Sequence, residues 1–277
     1  MTTELTLAFI GGGNMAAALG AGLIGKRCGA HDVHVIDPFP QALKGWADQG
    51  ASVATQADAT LASRRIWVFA VKPQLMKEAV LACKPFLQPD TLIVSVAAGI
   101  PATAIAEWLG GKDTPHQRVI RCMPNTPALI GAGASGLMAL PAVTADDRQV
   151  AEQMMRAVGE YVWVDTDAHI DAVTALSGSG PAYVFLFLEA LIARGEQLGL
   201  SFEQARKLAL ATVSGATQLA ALSPEPLATL RDRVTSKGGT TAAALQVFAE
   251  QGFTDVVGQA MQAANDRAAQ LSKEFAG

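Results

Sequence analysis

The sequence predicts an α/β fold over residues 1–164 followed by an all-helical half over residues 165–277. Strand-like apolar runs recur through the first part with helical patterns between most of them, the alternation that builds βαβ units and a mainly parallel sheet. The first run passes directly into a glycine-rich turn and then a helix. From about Asp165 the strand signals stop, and the composition turns to the Ala, Leu, Gln and Glu of long helices.

The strand-like runs are 5–10, 32–36, 65–71, 91–97, 119–123, 135–139 and 161–164, the later ones open to an antiparallel direction at the sheet edge. The first ends in Ile10 and enters Gly11-Gly12-Gly13-Asn14-Met15-Ala16, a Gly-x-Gly-x-x-Ala dinucleotide fingerprint. Gly11 makes the tight turn, Gly13 lets a pyrophosphate approach the backbone, and Ala16 keeps the helix close to the strand while its N-terminus faces the phosphates. This makes the first half a Rossmann-type dinucleotide-binding domain.

The second strand ends in Asp37, where a carboxylate can accept hydrogen bonds from the adenosine ribose hydroxyls and so favours NAD(H). The 2′-phosphate of NADP(H) would be repelled unless a cation such as Lys44 or Arg64 came near, so both cofactors stay open. Three later turns end strands on the same side of such a sheet: Ala70-Val71-Lys72-Pro73, Val96-Ala97-Ala98-Gly99 and Met123-Pro124-Asn125-Thr126-Pro127. They are candidate walls of the cofactor crevice, although prolines also break strands and start helices where no ligand binds.

In the second half, residues 171–197 read as one long helical pattern whose early part, Ser177-Gly178-Ser179-Gly180-Pro181-Ala182-Tyr183, is too glycine-rich for a solitary surface helix. The run that follows, 183–188, is apolar on every side, which predicts burial against a second subunit. Helical segments 202–222, 224–233, 240–251 and 255–274 complete this half. Between two of them lies Val234-Thr235-Ser236-Lys237-Gly238-Gly239-Thr240-Thr241, a polar turn with a glycine pair just ahead of a helix start. Glycines there let successive N–H groups point into one concavity, a seat for a carboxylate; taken alone it reads first as an ordinary helix–helix turn with a threonine cap.

A chain of 277 residues, half of them apolar, is long enough for two cores and has no uninterrupted apolar run that would span a bilayer. Met1-Thr2-Thr3-Glu4 has no basic region, so no signal peptide is read and a cytoplasmic protein is expected. Cys28, Cys83 and Cys122 suggest neither a disulfide framework nor a metal site, and His31, His34, His116 and His169 lack ligand spacing. A net charge of −4 without a basic stripe argues against a nucleic-acid partner.

A nucleotide domain followed by a helical domain also fits the hydroxyacid dehydrogenases, but carbonyl chemistry needs a buried Lys or His as proton shuttle, and the stretch 183–188 offers only Tyr183. A cyclic imine is a simpler hydride acceptor, because its nitrogen can already be protonated near neutral pH. The six motifs quoted above, from Phe9-Ile10-Gly11 through Arg121-Cys122-Met123-Pro124 to Thr240-Thr241, occur in an order that resembles the pyrroline-5-carboxylate reductases over nearly the whole chain.

The resemblance implies NADPH or NADH as hydride donor and 1-pyrroline-5-carboxylate as substrate. It also implies a helical domain that interlocks two subunits, dimers that often gather into larger rings, and an active site shared between subunits. Carried over by position, the substrate carboxylate lies on the N–H groups of Gly238, Gly239 and Thr240, Val234 lies beside the ring, and the Thr241 hydroxyl faces the ring nitrogen as proton donor or orienting group. Lys237 departs from the pattern, standing where many relatives have proline. Asp37 departs too, since many members place a neutral or basic residue there. A nucleotide-sensing module without turnover, and reduction of a six-membered imine or a 2-oxo acid, are the rival readings.

Overall fold

The structure is a computed structural model that describes residues Leu5 to Ala276; the leader-free start read at Met1–Glu4, and Gly277, lie outside it. The chain divides into two compact units, one running to Ser179 and taking in the residues from Ala264 on, the other spanning Gly180–Ala263.

The first unit is built on one eight-stranded sheet. In chain order its elements are β1 (Leu7–Ile10), α1 (Asn14–Leu23), β2 (Val33–Ile36), α2 (Pro40–Asp48), β3 (Ser52–Ala54), β4 (Ile66–Phe69), α3 (Met76–Cys83), β5 (Leu92–Ser95), α4 (Ala102–Gly110), β6 (Val119–Met123), β7 (Gly133–Ala139), α5 (Ala145–Arg156), β8 (Gly159–Trp163) and α6 (Asp167–Val173). The strand order is β3-β2-β1-β4-β5-β6-β7-β8, with β1 to β6 parallel. β7 pairs antiparallel with β6, and β8 parallel with β7, so the last two strands run against the rest, as expected of the edge.

Every residue of β1, β2, β4 and β5 is buried, which is why these strands read as continuous apolar runs. Their side chains alternate between two cores. Leu7, Phe9, Val33, Val35, Val68 and Val94 pack with α1 and Trp46 on one face. Ala8, Ile10, Ile36, Trp67, Phe69 and Ile93 pack with α3 and α4 on the other. Each fully buried large side chain contributes about 1.5–3 kcal/mol.

Three sequence expectations shift here. The runs 65–71 and 91–97 contract to β4 and β5, because Ala70, Val71, Val96 and Ala97 belong to the turns beyond the strands. β3 was not foreseen; its three residues, Ser-Val-Ala, are partly exposed at the edge and show no apolar run. The continuous helix read over 171–197 is broken by a π turn at Thr174–Gly178, between α6 and the first helix of the second unit.

That second unit holds α7 (Gly180–Gln197), α8 (Phe202–Leu222), α9 (Leu227–Arg233), α10 (Thr240–Glu250) and the start of α11 (Phe253–Ala276). α8 opens with a capping box, Ser201 accepting from the Gln204 N–H while the Gln204 side chain accepts from the Ser201 N–H. α7 and α8 approach closely where a Cβ on Gly195 would stand 3.0 Å from the Ala205 Cβ. Apart from such contacts much apolar surface is open: Phe185 is 59% and Leu186 68% exposed. The composition-based boundary at 164/165 and the contact-based division at 179/180 differ because α6 and the π turn, helical in composition, pack on β6 and β7.

Candidate functional site

The carboxyl ends of β1, β2, β4, β5 and β6 carry the loops expected to hold a cofactor, and the first four are tied to one another by the sheet's own hydrogen bonds continued past the strands. Gly11 N–H donates to Ile36 C=O (2.8 Å), Ala70 N–H to Ile10 C=O (2.8 Å) and Val96 N–H to Phe69 C=O (3.0 Å). These bonds set Gly11–Ala16, Ala70–Pro73 and Val96–Ala98 along one edge of the sheet.

Within the glycine loop each residue has a distinct reason. Gly11 has φ +99° and no room: a Cβ there would stand 2.7 Å from the Ala70 carbonyl oxygen. Gly12 is enclosed by Ala42, Val35 and Trp46. Gly13 is the opposite case, with no atom within 4 Å of where a Cβ would be. It caps α1 without any side-chain hydrogen bond, and no acidic residue stands in the first turn. The N–H groups of Asn14, Met15 and Ala16 therefore have no helical acceptor, and Ala16 is fully buried against the sheet. Open space, unpaired N–H groups and the positive end of a helix fit the pyrophosphate of a dinucleotide; the dipole alone favours an anion by about 0.3–1 kcal/mol.

Asp37 lies at the end of β2 and is nearly buried. Its Oδ2 accepts from Gly12 N–H (2.9 Å) and its Oδ1 from Phe39 N–H (2.9 Å), so the carboxylate is held in one orientation beside the loop. Of the two cations considered as partners for a 2′-phosphate, Arg64 is committed elsewhere. Its guanidinium donates to the carbonyls of Asp32 (3.3 Å) and His31 (3.5 Å), at the start of β2 rather than its end. Lys44 is exposed on α2.

The remaining walls divide. Lys72 is exposed and begins a 3-10 turn at Pro73. Ala97 N–H is held by the buried Ser95 hydroxyl (3.3 Å). The Asn125 side chain is a brace: its Nδ2 donates to Ser177 C=O (3.0 Å) and its Oδ1 accepts from Ala134 N–H (2.9 Å), joining the end of β6, the start of β7 and the π turn. Sequence reading missed Trp46, whose indole Nε1 donates to the Gly12 carbonyl (3.1 Å); a tryptophan on an amphipathic helix carries no signal beyond core packing.

In the second unit, Val234–Thr241 joins α9 to α10. Thr235 Oγ1 donates to Arg231 C=O (2.7 Å) and closes α9. Gly238 takes φ +70°, and Gly239, in extended backbone, is the N-cap residue of α10 without a side-chain cap bond. Gly239 N–H donates to Ser236 C=O (3.0 Å), so it is committed to the turn itself. The groups left to meet an anion are Gly238 N–H and those of Thr240 and Thr241 in the first turn of α10. Thr241 is half-buried and Val234 exposed.

Thiol chemistry has no support in either unit. Burial pushes the Cys83 and Cys122 thiols up to about 12, and burial with Asp32 raises that of Cys28.

Two family models match the chain: pyrroline-5-carboxylate reductase dimerisation over residues 167–271, and coenzyme F420-dependent NADP oxidoreductase over residues 6–99. The pyrroline-5-carboxylate reductase of Pseudomonas aeruginosa is 46% identical over 270 residues, covering 97% of each chain, and that of Pisum sativum is 38% identical, covering 98% of each. Among solved structures, the Coxiella burnetii pyrroline-5-carboxylate reductase superposes with a TM-score of 0.90 at 37% identity, covering 98% of this chain and 99% of that one. The Plasmodium falciparum pyrroline carboxylate reductase, solved with NADP bound, gives a TM-score of 0.84 at 28% identity over 97% and 98%.

A doubly wound sheet with an open glycine loop at its carboxyl edge, joined to a helical unit that matches a dimerisation family, defines an NAD(P)H-dependent oxidoreductase. Identity at this level over almost the entire length narrows the class to one family. The chain belongs to the pyrroline-5-carboxylate reductases.

Proposed function

We propose that the protein reduces 1-pyrroline-5-carboxylate to L-proline with NADPH or NADH, as a homodimer in the cytoplasm. The observation that carries the reading is the presence of two separate anion-receptive helix starts, Gly13–Ala16 at the sheet edge and Gly238–Thr241 ahead of α10. A dinucleotide's pyrophosphate and a substrate carboxylate are the two anions this reaction brings.

The cofactor, when bound, supplies a hydride to the imine carbon. Residues Ile10 to Ala16, Asp37, Ala70 to Pro73 and Val96 to Ala98 would hold it, with Asn125 keeping the crevice wall in place. Gly238, Thr240 and Thr241 orient the substrate through its carboxylate, and Val234 offers an apolar flank to the ring. With the ring nitrogen already protonated, the Thr241 hydroxyl would orient and steady it while it takes up the electron pair of the C=N bond. Little beyond orientation is then required of the side chains. This accords with thiols that stay protonated at neutral pH.

The test is oxidation of NADPH and NADH by the purified protein with pyrroline-5-carboxylate, beside pyruvate and the six-membered imine, repeated with Thr241→Ala. Fast turnover with the five-membered imine, and a kcat about tenfold to a hundredfold lower in the variant, is the expected result. Cofactor binding without turnover on any imine would sink the reading in favour of a sensing module. An unchanged kcat in the variant would remove Thr241 from the mechanism.

A further inference from the structure

The middle glycine of the loop is gripped at both of its polar groups by side chains of the β2–α2 segment. Its N–H donates to Asp37 Oδ2 at 2.9 Å, and its carbonyl accepts from Trp46 Nε1 at 3.1 Å, both bonds buried. The Gly12 carbonyl shares a planar trans peptide with the Gly13 N–H, so the two point in opposite directions. Drawing the Gly12 carbonyl to the indole turns the Gly13 N–H the opposite way, away from the indole. A peptide flanked by two glycines has little steric preference of its own and would otherwise be free to rotate.

The indole is itself fixed. Its ring lies 5.2 Å from that of Phe9, centroid to centroid, at 34°. On the other side it packs where Gly20 has no side chain; a Cβ there would fall 2.3 Å from the ring. We infer that Trp46 is a positioning residue for the cofactor, setting the Gly12–Gly13 peptide so that its N–H faces the pyrophosphate. The inference rests on the cofactor site of the proposed function but not on the identity of the imine.

The experiment compares Trp46→Phe with Trp67→Phe. Trp67 is a fully buried indole of the same sheet whose Nε1 donates to the carbonyls of Leu61 and Arg64 (3.1 Å each), away from the glycine loop. Dissociation constants for NADPH and NADH are measured by calorimetry on the free protein, together with thermal stability and the steady-state constants. Loss of one buried hydrogen bond predicts about fivefold to tenfold weaker cofactor binding and a matching rise in cofactor KM for Trp46→Phe, with kcat at saturation kept within about twofold. Trp67→Phe loses stability comparably and binds cofactor as the unaltered protein does.

Should Trp46→Phe fold poorly, Gly20→Ala keeps the indole but pushes it from the carbonyl, and the same weakening is expected. Wild-type affinity in a folded variant at Trp46 or Gly20, or equal weakening in Trp67→Phe, overturns the inference. Because binding is read without any imine, failure of the proposed reaction would leave this result standing.

Discussion

Asp37 combines two duties that sequence spacing shows only in part. Its place at the end of β2 is legible as an acid some distance beyond a Gly-x-Gly, but its hydrogen bonds to Gly12 and Phe39 are not, since they depend on how the β2–α2 loop folds back. With both oxygens held by backbone, the carboxylate cannot swing away from a 2′-phosphate, and Arg64 is bound at the far end of the strand. Removing the charge while keeping an oxygen for Gly12 should therefore change preference more than affinity. In Asp37→Asn the ratio of the NADPH to the NADH dissociation constant is expected to fall about tenfold, the scale of one screened charge repulsion. Calorimetric titration of both cofactors reads it, and an unchanged ratio would mean that the carboxylate does not face the ribose. Trp46 shows the opposite limit of legibility: nothing in its spacing reveals which carbonyl an indole N–H will find.

Strands buried on both faces were the most legible elements. Four strands buried on both faces read as unbroken apolar runs, whereas β3 at the edge did not. The π turn at Thr174–Gly178 was hidden because each of its residues is compatible with a helix; the close packing of Gly178 on Met123, whose methyl would be 2.6 Å from a Cβ there, has no signature in residue type. α5 shows an element whose start was not foreseen but whose stability can be argued. Thr144 and Asp147 form a capping box at its N-terminus, and Asp147 also takes a bidentate bond from Arg118 at 2.7 and 3.1 Å. Burial alone would raise the Asp147 carboxyl, but the bonds from Arg118 and Thr144 outweigh it and hold the group below its usual value. A depressed folded-state value contributes stability above the unfolded value and loses it as pH falls through the folded one. Asp147→Asn should cost about 1–3 kcal/mol in urea unfolding at neutral pH, with the difference shrinking below about pH 4 as the native carboxylate protonates. A cost that does not shrink in acid would assign the loss to packing rather than to charge.

At the scale of the whole molecule the second unit leaves an apolar face uncovered, within the match to a dimerisation family. The helical run Asp167–Gln197 is long and apolar enough to cross a membrane by length and composition, with a mean hydropathy of 1.4 over its most apolar window, although no uninterrupted apolar stretch of it is that long. The same stretch falls inside the match to the dimerisation family. Val184, Phe185, Leu186 and Leu191 of this run are exposed, as are Leu208 and Leu219 of α8. Among the described residues of the second unit, the buried apolar side chains are only Leu188, Ala205 and Ala209, too few for these helices to stand alone at about 1.5–3 kcal/mol for each large side chain buried. The apolar run at 183–188 was legible as a surface for a second subunit, which the match to a dimerisation family supports; the helix faces that meet were not, because composition carries no contact geometry. Association as the source of stability makes a definite demand, since the melting temperature must then rise with protein concentration. Leu186→Glu should convert the protein to a monomer by sedimentation, abolish that dependence and lower the melting temperature, while the protein remains in the aqueous phase without detergent. A variant that keeps the wild-type assembly would place the interface on another face of these helices, and wild-type protein that needs detergent to stay dispersed would return the segment to the membrane.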